Sequence, residues 1–176
     1  MSTTKWALDA THSELGFKIK HLMISNVSGR FNSFDVTAET SSDDFSDGSI
    51  SANIDVASIY TNNEQRDGHL RTGDFFEIEK YPAITFKSTA VKKEGDDLEV
   101  TGDLTMKDVT KPVTLKVEFA GITKDPYGNI KAGFSFAGKL NRKDWGINFN
   151  AALETGGVML GEEVKYEGEI QLVKQG

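Results

Sequence analysis

The sequence predicts an all-β protein of eight or nine antiparallel strands with one short helical interruption, and three observations predict it. Apolar and polar residues alternate with a period of two along much of the chain, which is the signature of strands with one buried face. Glycine is frequent, at 17 residues, proline is scarce, at 3, and 11 Phe accompany many Val, Ile and Thr. Those residue types favour pleated strands joined by tight turns. Turn-forming clusters, finally, separate the alternating runs at short intervals.

The first run sets Leu15, Phe17 and Ile19 against Glu14, Lys18 and Lys20. Residues 29–39, from Gly29-Arg30-Phe31 onward, read as a strand of irregular phase, expected to carry a bulge. Ile50, Ala52, Ile54 and Val56 then alternate with Ser51, Asn53 and Asp55. Residues 62–74 break the pattern, polar first and apolar later, and are predicted as a short helix and loop before Tyr81-Pro82. Alternation resumes at Ile84 and Phe86 and continues through Leu98–Met106, Val113–Phe119, Ile130–Leu140 and Val164–Leu172. Glu94-Gly95-Asp96-Asp97, Asp125-Pro126-Tyr127-Gly128-Asn129 and Gly156-Gly157 mark turns, so strands from about 83 to 140 are hairpin-linked and antiparallel. Strands with one apolar face either stack as a sandwich or close as a barrel; successive hairpins with few long crossovers favour the barrel, although periodicity alone leaves both open.

The 176 residues suit one domain, 1–176, and 20 basic against 27 acidic side chains leave a formal charge of −7. Acidity argues against nucleic-acid binding and against an anionic membrane surface, since both need a basic stripe. No window approaches the roughly 18 apolar residues of a membrane-crossing helix, so no stable membrane insertion is expected. The start lacks a basic cluster followed by an apolar stretch. A cytoplasmic location is therefore expected, or a periplasmic one if a leader has been removed. Zero cysteines exclude disulfides, thiolate metal sites and a Cys nucleophile.

The inward face mixes large rings with small residues such as Ala52, Ala132, Gly102, Gly138 and Gly168. An eight-stranded barrel is just wide enough to be filled by side chains or to hold one small ligand. Either the glycines merely relieve strain beside large neighbours, or the small residues leave a narrow apolar tube for a linear hydrophobic molecule. Candidate lining residues are Phe17, Ile19, Ile54, Phe86, Leu104, Leu115, Val117, Ala132, Phe134, Phe136 and Tyr166. Burying a chain of roughly 20 carbons at about 0.8 kcal/mol per methylene gains on the order of 16 kcal/mol against water. Against a bilayer it gains almost nothing, because acyl tails are equally apolar. Such a domain carries or shields lipid, and selectivity falls to shape and to polar groups at the barrel end.

Catalytic signals are weak. The three histidines, His12, His21 and His69, have no metal-ligand spacing, and no cofactor is expected. Asp9, His12 and Ser13 are too close along the chain to form a nucleophilic triad locally. The stretch Asp67-Gly68-His69-Leu70-Arg71 reads as a barrel cap with Phe75 and Phe76 beneath, or as a headgroup portal. Arg142 and Lys143 beside Trp145 are a second candidate for an anionic headgroup. His12, His21, His69, Arg71, Arg142 and Trp145 are thus the candidate barrel-end residues. A histidine-dependent enzyme acting on bound lipid, and a ligand-free dimerisation scaffold, are the rival functions.

The blocks Trp6-Ala7-Leu8-Asp9-Ala10-Thr11-His12-Ser13, Gly29-Arg30-Phe31, Asp67-Gly68-His69-Leu70, Asp74-Phe75-Phe76 and Tyr81-Pro82-Ala83-Ile84-Thr85-Phe86 resemble the YceI-like family. The resemblance continues through Gly102–Val113, Arg142–Ile147 and Gly156–Val164, covering essentially the whole chain. It implies an eight-stranded antiparallel lipocalin-like barrel, with the short helix near 62–74, whose lumen binds a polyisoprenoid or prenylquinone. It brings no catalytic set, and it suggests isoprenoid transport, quinone handling or a stress response. A homodimer paired through outer faces is an accompanying expectation, although no exposed apolar run marks the surface.

Overall fold

Each alternating run forms a strand, and each strand pairs antiparallel with its neighbours. The structure is a computed structural model describing residues 3–21, 25–41, 45–73, 75–147 and 160–175; the side chains of His21 and Leu160 and the Gly156-Gly157 turn lie outside the described residues. The strands are β1 (Thr4–Leu8), β2 (Glu14–His21), β3 (Ser25–Phe31), β4 (Phe34–Thr40), β5 (Ser49–Asp55), β6 (Ile59–Tyr60), β7 (Ala83–Glu94), β8 (Asp97–Met106), β9 (Val109–Lys124), β10 (Ile130–Asn141) and β11 (Leu160–Gln175). One helix, α1 (Glu64–Leu70), lies inside the segment predicted as helix and loop.

The eleven strands make one sheet. It closes because β11 pairs with β1 through Leu8↔Leu172 and with β2 through Phe17↔Tyr166. β1 and β2 therefore run end to end along β11 as a single broken strand. β3 and β4 do the same beside them, pairing with β2 and β1 respectively, and β6 and β5 continue the arrangement along β3 and β4. With β7, β8, β9 and β10 this gives a closed eight-stranded antiparallel barrel.

The first break is held by side chains. Asp9 N–H donates to the Gln171 carbonyl at 2.9 Å, and Ser13 Oγ accepts from Gln171 N–H at 3.0 Å while donating to the Asp9 carbonyl at 2.7 Å. Both backbone groups of Gln171 are thus paired where the ladder is interrupted. The second break, at Asn32-Ser33, accounts for the irregular phase expected there: residues 29–39 belong to two strands rather than one bulged strand. Bulges do occur elsewhere, in β9 at Ala120 opposite Gly133/Phe134 and in β7 between Ser88 and Ala90.

Side chains pack differently at the two ends. At one end Phe45, 1% exposed, lies with its ring centroid 5.0 Å from Trp6 and 4.9 Å from Phe134, among Ala38, Leu98, Ala132 and Leu172. Trp6 Nε1 donates to buried Thr40 Oγ1 at 3.1 Å, so the indole burial leaves no orphan donor. This end is a packed floor. The other end gathers Phe31, Val56, Ile59, Ile84, Met106 and Trp145 against Leu70 and Phe76 from α1 and the loop after it.

Candidate ligand cavity

Between the floor and the α1 end lies a cavity of about 370 Å³, lined almost wholly by apolar side chains. That is within the range of roughly 300–1,000 Å³ usual for ligand sites. Phe17 and Ile19 of β2, Ile54 of β5, Phe86 of β7 and Leu104 of β8 line it, as do Leu115 and Val117 of β9, Phe134 and Phe136 of β10, and Tyr166 of β11. Ten of the eleven candidate lining residues are therefore brought together on one wall system.

Ala132 is the exception. It is fully buried in the floor cluster with Trp6, Phe45 and Leu172, and it does not face the cavity. Alternation identified its face correctly, but not its height along the barrel, where the void has already ended.

The inward glycines do not create the void. A Cβ on Gly102 would run into the ring of Phe86, one on Gly138 into Tyr166, and one on Gly168 into Phe136. Gly138↔Tyr166 and Phe136↔Gly168 are direct cross-strand pairs, so each ring lies across the bare backbone opposite it. The glycines thus make room for large rings against the strand backbone. Of the two readings that composition left open, the glycines fit the first, room for large neighbours, and an apolar cavity is present beside them.

Missed lining residues fall into two groups. Ile50, Leu98, Val100 and Val113 sit on strands whose alternation was visible, whereas Val36 lies in the stretch of irregular phase. Leu70, Phe75, Phe76 and Ile147 come from α1, loops and the turn after β10, where no period marks an inward direction.

The YceI-like domain family matches residues 6–172. The chain belongs to the YceI-like family. A UPF0312 protein of Staphylococcus aureus is 47% identical over 169 residues, 96% of each chain. The crystal structure of a Campylobacter jejuni YceI protein superposes with TM-score 0.76 at 34% identity, covering 96% of this chain and 97% of that one. Burkholderia cenocepacia BcnA, at 22% identity, 93% and 98% coverage and TM-score 0.79, shares the fold. So does a polyisoprenoid binding domain of Saccharophagus degradans, with TM-score 0.67, 18% identity and coverage of 97% and 98%.

The blocks that carry the YceI-like resemblance occupy different places in this barrel. His12 stands at the β1–β2 break, 57% exposed, with Nδ1 2.9 Å from Asp9 Oδ2, away from the cavity. Lys131 Nζ donates to the same Asp9 oxygen at 2.6 Å; that bond first, and His12 second, hold the Asp9 carboxyl well below the usual carboxylate range. This cluster ties β10 to the break in the first strand. His21 pairs its backbone with Ser25.

His69 does line the cavity, with its ring edge-on to Phe75 at 5.1 Å. Buried Asp67 accepts from Thr61 N–H at 2.9 Å and from the Thr61 hydroxyl, while Arg66 donates to Thr61 Oγ1 at 2.8 Å. Arg71 donates to the carbonyls of Ala57 and Ile59 at 3.0 and 3.3 Å and is not on the wall. Asp67 and Arg71 thus fasten a cap, with Phe76 edge-on to Phe31 beneath it.

Trp145 is buried, and its Nε1 donates to the Leu104 carbonyl at 2.9 Å; it closes the barrel end without lining the cavity. Arg142 is both buried and on the wall. Burial lowers its pKa, while the charge of Glu162 acts in the opposite sense. Among the described residues no group of three His, Cys, Asp or Glu is placed to hold a metal ion.

Proposed function

We propose that the protein binds and carries a long-chain isoprenoid amphiphile, a polyprenyl lipid or a prenylquinone, in its barrel without covalent chemistry. The observation that carries this reading is the apolar cavity of about 370 Å³ between a packed floor and a helix-capped end. Its apolar lining suits a flexible hydrocarbon, which is bound by the area it removes from water rather than by directed contacts. The Saccharophagus domain lends the reading the fold alone.

The outer face supports a carrier that stays out of the bilayer. Lys87, Asp103, Lys116, Glu118, Lys139, Lys165, Glu167 and Glu169 point outward and are exposed. A barrel inserted in a membrane has the reverse arrangement, with an apolar exterior and a polar interior. The non-enzymatic reading gives His12 and His69 structural parts, the one held by Asp9 outside the cavity and the other edge-on to Phe75.

Organic extraction of the purified protein followed by mass spectrometry tests the proposal. A prenyl lipid recovered at near one-to-one stoichiometry is the expected result. A protein that neither yields such a lipid nor takes one up when it is offered is not a carrier.

A further inference from the structure

Strand residues set the width of a tube, because their side chains stand perpendicular to the sheet, whereas its length is set by a connection that crosses an end. Phe45 is a residue of the second kind. It lies in the β4–β5 connection, between Thr40 and Ser49, and among the described residues it is the one member of that connection on the cavity wall. Its ring is also central to the floor: the Trp6, Phe134 and Phe119 rings lie 5.0, 4.9 and 5.5 Å away, the last two edge-on. Trp6, Phe119, Ala38 and Ala132 belong to this cluster and do not line the cavity. Phe45 thus meets the empty space on one side and the packed floor on the other.

The backbone that delivers this ring is strained. Phe45 has a φ of 62°, a left-handed conformation that favours glycine and costs a bulky residue free energy. The connection is closed on itself around it: Gly48 N–H donates to the Phe45 carbonyl at 2.9 Å, and Ser41 N–H donates to Asp47 Oδ2 at 3.2 Å. Strain of this kind persists only where the surroundings over-determine it, and it concentrates at functional sites. Glycine would take the same backbone freely but would bring no ring. The ring is what the strained connection supplies.

Resting on the carrier reading above, we propose that Phe45 is the stop that sets how long a cargo tail the barrel accepts. A tail leaving a micelle or bilayer loses nothing if the apolar tube holds all of it, but every unit left in water costs affinity. Acceptance therefore falls at a cut-off length, where the tip meets the ring. A phenyl ring and an isoprene unit are of similar size, so removing the ring opens room for about one further unit.

An equimolar mixture of prenyl alcohols of two to nine isoprene units, alike in head and differing in length, tests the stop. It is offered from detergent micelles to lipid-free protein, and occupancy is read by native mass spectrometry. Wild-type protein is expected to show a cut-off, with occupancy falling about tenfold or more for each unit beyond it. Phe45→Gly moves the cut-off about one unit longer and accepts the shorter alcohols as before. Trp6→Phe, which removes the bond to Thr40 and weakens the floor without touching the wall, leaves the cut-off in place. Occupancy without a cut-off, a cut-off unmoved in folded Phe45→Gly, or one that Trp6→Phe moves as far overturns the stop. If Phe45→Gly does not fold, an alcohol of cut-off length with a diazirine at its tail tip decides on wild-type protein: labelling of Phe45 or its floor neighbours supports the stop, and labelling elsewhere overturns it. Wild-type protein that takes up none of the alcohols sinks the carrier reading itself.

Discussion

Asp9 shows how one side chain can hold a broken strand in register. It accepts from Thr11 Oγ1 at 2.8 Å, sits 2.9 Å from His12 Nδ1, and takes the Lys131 ammonium at 2.6 Å, with Asp9 and Lys131 side chains only 13% and 17% exposed. Its lowered pKa contributes stability that is present above the ordinary carboxylate value of about 3.9 and is lost as pH falls toward the folded value. Lys131 is raised, through the same hydrogen bond, and so contributes stability that is present below its ordinary value of about 10.4 and is lost as pH rises through the folded one. Lys131→Met should lower stability near neutral pH and flatten both limbs of the stability curve. Urea midpoints measured across pH check this; an unchanged acid limb would mean that His12 and Thr11 suffice. None of this was legible in the sequence, because Asp9 and Lys131 lie 122 positions apart and only the closure of the barrel brings them together.

At the scale of elements, tight turns decide how the strands meet. β8 and β9 join through Lys107 and Asp108, paired from Met106↔Val109, and both turn residues have positive φ, 50° and 63°. This is the backbone of a type I′ hairpin, built without glycine. Left-handed backbone costs a residue with a Cβ roughly 1–2 kcal/mol, less for Asp, whose short polar side chain tolerates it. Replacing the pair by Asn-Gly should raise stability by about 1 kcal/mol, read as a shift in the denaturant midpoint. No shift would mean that side-chain contacts of Lys107 or Asp108 offset the strain. The hairpin itself was legible from the alternation on either side, but its turn type was not, since the residues carry no Gly signal. β9–β10 is the contrary case. Asp125-Pro126-Tyr127-Gly128-Asn129 announced a turn, and Asp125 duly accepts from Tyr127 and Asn129 N–H at 2.9 Å each.

For the molecule as a whole, the axial position of a residue matters as much as the face it points to. Ala52 lines the cavity and Ala132 sits in the floor. Ala52→Trp should leave the fold intact and expel the cargo, since the indole enters space that is already empty. Ala132→Trp should instead destabilise the protein by about 3 kcal/mol, because a close-packed site has no room for it. Thermal unfolding together with lipid recovery separates the two. A destabilised Ala52→Trp protein, or a well-folded Ala132→Trp protein that has lost its lipid, would reverse the assignment of floor and cavity. The same axial distinction limits what alternation revealed: it selected the inward face for ten wall residues, yet could not say where along that face packing stops.

By itself the sequence determined most of the strands, their antiparallel order from 83 to 140, the helical interruption before Tyr81-Pro82, and an apolar inward face. Each of these is written in neighbouring residues through a period of two or a turn-forming cluster. Only the tertiary structure decided that two early strands break to follow β11 and β1, that aromatic rings lie across opposing glycines, and that Arg142 turns inward while Arg71 ties down the cap. Those features depend on which distant residues meet once the barrel closes, and a local pattern holds no information about that encounter.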